Sequence, residues 1–197
     1  MPAYSPRYDA ALALAARAHR AQLRKGTNLP YIAHPVYVSI ILLRHGFGED
    51  LAIAGLLHDV VEDTDVALDT IQAEFGPTVA SLVAAVTETK AVDGVELAWE
   101  QRKAEKLERL YASGPDVAAL KAADALHNAH SLIRDLQADG PAVWARFKRG
   151  PQQSIDYYRA ICAGVNAKLG AHPLAIELSD TVDDLHRVAA AVGADRP

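Results

Sequence analysis

Apolar residues recur at three- and four-residue spacing along most of the chain, the period of amphipathic α-helices, while the strict alternation expected of strands is almost absent. The spacing predicts helices over Arg7 to Arg24, Pro35 to His45, Asp50 to Glu62, Leu68 to Phe75 and Thr78 to Thr87. Further helices are predicted over Val95 to Ala112, Asp116 to Leu136, Ala142 to Phe147, Gln152 to Leu169 and Leu174 to Val192. Gly-Pro pairs at 76–77, 114–115, 140–141 and 150–151 punctuate them, because glycine ends a helix and proline can open the next. Lys90 to Gly94 fits none of these segments and reads as a mobile loop beside a cleft. The expectation is an all-α, single-domain helical bundle over residues 1–197, with a motif core at about 19–135 and C-terminal helices over 142–192.

Half of the 197 residues are apolar, enough to close one hydrophobic core without disulfides; the single cysteine, Cys162, can form none internally. No apolar run approaches the roughly 20 residues that span a bilayer. No basic leader with a cleavage site opens the sequence, so a cytoplasmic location is expected. The net charge of −5 and scattered basic residues argue against a broad nucleic-acid surface. They leave room for a small anion held by a few local Lys and Arg side chains.

Candidate chemistry concentrates in IAGLLHDVVED, Ile53 to Asp63. On a continuous helix His58, Asp59, Glu62 and Asp63 would share an arc of about 140°, with Ile53, Leu57, Val60 and Val61 opposite. So many acids repel one another unless a cation, a proton or solvent offsets their charge. A solvated acidic face accounts for that spacing as well as a ligand set does. Two other segments favour ligands: His34 stands just before a helix that Pro35 can start, and Asp124 lies on the polar side of an otherwise apolar helix with Asn128, Ser131 and Asp135. His34, His58, Asp59 and Asp124 would supply two nitrogens and two carboxylate oxygens, a set suited to Mn²⁺, Fe²⁺ or Zn²⁺. Such an ion polarises a phosphoryl oxygen and acidifies bound water, which phosphate-ester hydrolysis requires.

The H…HD…D pattern resembles the HD superfamily, and the strings AHRAQLRKG, PYIAHPVYVSIIL, IAGLLHDVVEDT, FGPTVASLVAAVT and LKAADALHN, in that order, resemble the hydrolase domain of RelA/SpoT homologues and the free-standing small alarmone hydrolases. The resemblance is dense from His19 to Thr89, resumes at Asp124 to Ser131 and fades beyond Trp144. It implies one divalent ion, typically Mn²⁺, on His34, His58, Asp59 and Asp124, with Glu62 and Asp63 orienting or deprotonating the attacking water. It further implies that Arg24 and Lys25 contact the nucleotide, that Asn128 helps to place base and ribose, and that Ser131 is a further substrate contact. The implied activity is removal of the 3′-pyrophosphate of (p)ppGpp. Two alternatives stay open: the same mechanism on (p)ppApp or NADPH, and a non-catalytic nucleotide sensor. The intact Glu62-Asp63 pair disfavours the sensor.

The GTNL loop lacks the family's glycine close before Pro30, and Ala125 and Ala129 replace larger residues beside Asp124 and Asn128, so base specificity is the open point. The length leaves no room for a second catalytic domain, so alarmone synthesis is not expected, and control falls to expression, metal supply or homo-oligomerisation. Of the remaining residues, His19 reads as packed, His127 and His130 as facing away from the site, and His45, His172 and His186 as surface residues. Trp144 and Phe147 read as packing residues, and Tyr157 and Tyr158 are ambiguous. Arg102, Lys103 and Lys106 read as a solvated charge face with Glu105.

Overall fold

Small side chains at the centre of the longest helix set the architecture. The computed structural model describes residues 5–92, 95–147 and 149–194. Its central helix, α8 (Pro115–Asp139), buries Ala118, Ala119, Ala122, Ala123, Ala125 and Ala129 almost completely, so neighbouring helices approach its backbone from several sides. Around it stand α1 (Pro6–Ala18), α2 (Ala33–Arg44), α3 (Glu49–Leu57), α4 (Val60–Asp63), α5 (Leu68–Phe75), α6 (Pro77–Val86) and α7 (Trp99–Ala112). A 3₁₀ segment (Gly140–Arg146), α9 (Pro151–Leu169) and α10 (Pro173–Ala194) follow it. The main core gathers α1, α2, α3, α5, α6 and the first half of α8, joined by Val60 of α4, Leu110 of α7, Ile161 and Val165 of α9 and the first half of α10. A second cluster of Ala129, Leu132, Leu136, Val143, Ile155, Leu185 and Ala189 lies under the C-terminal half. Among the described residues no helix is long and apolar enough to cross a membrane.

Prolines open α6, α8 and α9 directly after Gly76, Gly114 and Gly150, where a missing N–H is harmless. Gly55 lets α3 settle closely on α2: a Cβ there would lie 3.2 Å from the Ser39 backbone. That close packing brings the end of α3 beside the start of α2.

Four expectations need correction. The first helix ends at Ala18, not Arg24, because Leu23 pairs with Pro30 in an antiparallel bridge and Tyr31 N–H donates to the Gln22 carbonyl. Arg24 and Lys25 therefore sit on a loop. The segment Asp50 to Glu62 is two helices, α3 and α4, separated at His58-Asp59. Ahead of α7, Ala91–Val92 (β1) and Val95–Glu96 (β2) form a two-stranded antiparallel hairpin where a loop and the start of a helix were expected. Asp93 and Gly94 of that expected loop lie outside the described residues. Residues 140–146 wind as 3₁₀ helix.

Candidate metal centre and active-site cleft

The break between α3 and α4 places His58 and Asp59 on consecutive residues that share one target. His58 Nδ1–H donates to the Gly55 carbonyl at 2.8 Å, which leaves Nε2 to point outward from the helix end. His34, in the first turn of α2, presents its Nε2 3.5 Å from Asp59 Oδ2 and 3.3 Å from Asp124 Oδ1. His58 Nε2 lies 3.0 Å from Asp59 Oδ2 and 3.9 Å from Asp124 Oδ1. Three helical regions thus bring these four side chains together, and ligand atoms of His34, His58 and Asp59 all lie within 4.8 Å of one another.

These donors fit a divalent cation. His58 is buried, and its Nε2 makes no hydrogen bond of good geometry despite the nearby carboxylate. A lone pair aimed at carboxylate oxygens requires a proton or a cation between them. As a proton acceptor His58 is pushed up to about 9: burial opposes its charge, but Asp59, Asp124 and the Gly55 carbonyl overcome it. The same negative field would favour an ion. Burial instead lowers His34, keeping it in the neutral form that can ligate. Burial also opposes ionisation of Asp124, yet Lys121, His34 and His58 hold its carboxyl well below the usual range.

One side of α8 joins this centre to the rest of the cleft. Asn128 Nδ2 donates to Asp124 Oδ1 at 2.6 Å, and Asn128 Oδ1 accepts from Arg24 at 2.8 Å. Lys121 reaches Asp124 Oδ2 at 2.7 Å. The cleft of about 330 Å³ is lined by His34, Asp59, Glu62, Asp63 and Asp124, with Arg24, Lys103, Lys106 and Lys121 supplying positive charge. Trp99, Phe147, Tyr157 and Tyr158 give it aromatic walls. An adjoining pocket of about 310 Å³ holds Lys25, Ser131, Arg134 and Arg146, and shares Arg24, Tyr31 and Asn128 with the first. Its wall is interlocked: Gly26 has φ +75°, and a Cβ there would lie 2.4 Å from Arg146 Nε. Arg146 is itself tied to Asp135 and Asp139 at 3.0 and 2.7 Å.

Glu62 and Asp63 stand apart from the four-residue cluster, each held by cations. Glu62 Oε2 accepts from the Glu88 backbone N–H at 2.9 Å and from Lys106 at 3.3 Å, while Lys90 donates to Asp63 Oδ1 at 3.0 Å and to the Glu62 carbonyl at 2.8 Å. Lysines therefore offset the crowded negative charge.

The structure adds residues that periodicity alone assigned elsewhere. Arg102, Lys103 and Lys106 do not form a solvated face: they converge on buried Glu88 at 2.6, 2.8 and 3.2 Å. His127 faces the site, with its Nδ1 2.8 Å from His34 Nδ1. Tyr31 donates its hydroxyl to Asp59 Oδ2 at 2.5 Å and packs against buried His19. Phe147 lines the cleft instead of only packing on Trp144, and His45 is mostly buried, 3.0 Å from Glu177.

Glu88 carries a stability prediction. Burial pushes its pKa up, but Lys103 and Lys106 outweigh it and draw the value down to about 2. A lowered carboxylate stabilises the fold above its ordinary value of 4.5, and that contribution is lost as pH falls towards 2. Glu88→Gln is expected to cost about 2–3 kcal/mol at neutral pH, discounted from a fully buried broken ion pair because the lysines reach the cleft. Urea unfolding of both proteins checks this: the gap should narrow between pH 5 and pH 2.5.

An all-α scaffold that gathers two buried histidines and two aspartates on the floor of a cationic cleft has the form of an HD-type hydrolase. The HD domain family profile matches residues 11–152, and the chain belongs to that family. Within it, the Drosophila melanogaster guanosine-3′,5′-bis(diphosphate) 3′-pyrophosphohydrolase MESH1 is 34% identical over 173 residues, which span 84% of this chain and 92% of that protein. The Mus musculus protein of the same name is 38% identical over 137 residues, 68% of this chain and 72% of its own. A solved structure, described as a metazoan orthologue of SpoT that hydrolyses ppGpp and plays a role in starvation responses, superposes with a TM-score of 0.76 at 30% identity. The alignment covers 95% of this chain and 97% of that one.

Proposed function

We propose that the protein is a divalent-metal-dependent 3′-pyrophosphohydrolase of (p)ppGpp, yielding GDP or GTP and pyrophosphate, in which the whole chain acts as one catalytic unit. The observation that carries this reading is that His34, Asp59 and Asp124, with His58 behind them, line one cleft together with Glu62, Asp63 and a ring of Arg and Lys side chains. Similarity to proteins named for that reaction supports the substrate class.

His34, His58, Asp59 and Asp124 would hold the ion, for which Mn²⁺ suits a mixed imidazole and carboxylate set. When bound, it supplies a Lewis acid for the phosphoryl oxygen and acidifies water. Water adds to the phosphorus carried by the ribose 3′ oxygen, and that oxygen leaves with a proton. Glu62 and Asp63 orient the water and accept its proton. Lys103, Lys106 and Lys121 line the cleft and would offset phosphate charge there. Arg24 offers a planar guanidinium that can pair with phosphate or stack on a base, and Asn128 fixes that guanidinium from below. Lys25 and Ser131 line the adjoining pocket and complete the substrate contacts.

The test is turnover of ppGpp, pppGpp, ppApp, pppApp and NADPH by Mn²⁺-loaded protein, with products separated by ion exchange. Pyrophosphate released from the guanosine compounds at the highest kcat/KM is the expected result. Preference for adenosine compounds, or orthophosphate from NADPH, keeps the mechanism and overturns the substrate. Binding without products in metal-loaded protein makes the chain a sensor. In the same assay Arg24→Ala is expected to lower kcat/KM by roughly 10–100-fold with the metal retained, the loss of one or two charge-assisted hydrogen bonds. Unchanged kinetics with all five nucleotides would exclude Arg24 from substrate contact.

A further inference from the structure

The two histidines proposed as ligands are oriented by different devices. His58 is fixed by a backbone carbonyl of its own helix, whereas the second nitrogen of His34 meets a side chain from α8. We infer that His127 is a positioning residue for the metal centre, its Nδ1 accepting the Nδ1–H of His34 and so aiming His34 Nε2 at Asp59 and Asp124. The inference rests on the reading of His34 as a ligand.

A hydrogen bond between two imidazole nitrogens contains one proton. If His34 donates a lone pair from Nε2, its proton must sit on Nδ1, and His127 Nδ1 must then be bare. The 2.8 Å separation fits that bond. Asp124 and His127 lie three residues apart on α8, so this one helix addresses both nitrogens of His34: Asp124 Oδ1 stands 3.3 Å from Nε2, and His127 takes Nδ1. Rotation of the His34 ring would break both contacts at once. The plane of His127 is set in turn by Tyr37, whose ring stacks on it at 5.0 Å between centroids and 16° between planes. Tyr37 belongs to α2, the helix that carries His34. The result is a closed brace, α2 to α8 and back, around a side chain only 1% exposed.

Such outer partners typically contribute 10–100-fold to metal affinity. The experiment measures Mn²⁺ dissociation constants from the electron paramagnetic resonance signal of free Mn²⁺, on proteins whose thermal melting in chelator confirms that they are folded. His127→Phe keeps a ring for Tyr37 but has no acceptor, and is expected to weaken Mn²⁺ binding by about 10–100-fold. His127→Asn returns an acceptor one bond from Cγ, where Nδ1 stood, and is expected to recover affinity to within about fivefold of the parent. Should the Phe variant fail to fold, His127→Leu takes its place. Parent-like affinity in the Phe or Leu variant, or an Asn variant as weak as they are, overturns the inference. His58→Ala separates the two levels: if it too keeps its Mn²⁺, the proposed metal centre is wrong, whereas loss there with no effect at position 127 refutes only the brace.

Discussion

Glu62→Gln is expected to lower kcat by about 10²–10⁴-fold while Mn²⁺ affinity stays near that of the parent, the range supplied by a positioned proton acceptor. The expectation follows from where the side chain stands. Glu62 lines the cleft but lies outside the cluster of His34, His58 and Asp59, and its Oε2 is already engaged by Lys106 and the Glu88 N–H. Glutamine keeps the length and one acceptor, so the fold and the lysine contact should survive while proton acceptance is lost. Single-turnover rates at saturating ppGpp, with bound metal measured on the same sample, provide the check. Equal losses of metal and rate would make Glu62 a ligand.

The second large effect is expected from His58→Ala, which removes a proposed ligand that is only 4% exposed. Loss of the ion forfeits several kcal/mol of transition-state stabilisation, roughly 10³-fold or more in rate. The variant should also lose the parent's thermal response to metal. A ligand bound only by the native state, at 100 times its Kd, stabilises by about 2.7 kcal/mol. Melting curves with and without Mn²⁺ should therefore separate for the parent and coincide for the variant. A metal-dependent shift retained in His58→Ala would contradict the assignment.

What the sequence made legible was what neighbouring residues decide. Gly-Pro pairs marked three helix starts to within one residue, the 3.6-residue period gave α5 its bounds, and the candidate ligands stood out because His34 before Pro35 and Asp124 on an otherwise apolar helix joined the acidic face at His58-Asp59. What was lost depended on distant partners. The first helix stops at Ala18 because Leu23 finds Pro30 across a turn, a pairing no helical period contains. Arg102, Lys103 and Lys106 looked like a surface stripe because Glu105 is on their helix, yet the buried carboxylate that gathers them, Glu88, comes from the connection before the hairpin. His127 was set aside for the same reason: its partner is 93 residues earlier. The break at His58-Asp59 also defeats a helical wheel, since the wheel assumes the continuity that is missing there.

The order of these residues along the chain has a consequence for synthesis. His34, His58 and Asp59 leave the ribosome early, but Asp124, Asn128 and His127 follow roughly 65 residues later, which at about 5–20 residues per second is a delay of roughly 3–13 s. During that interval the nascent chain carries imidazoles and carboxylates without the helix that closes around them. With the proposed ligand set, tight capture of a metal, and with it the first competent active site, would await the emergence of α8.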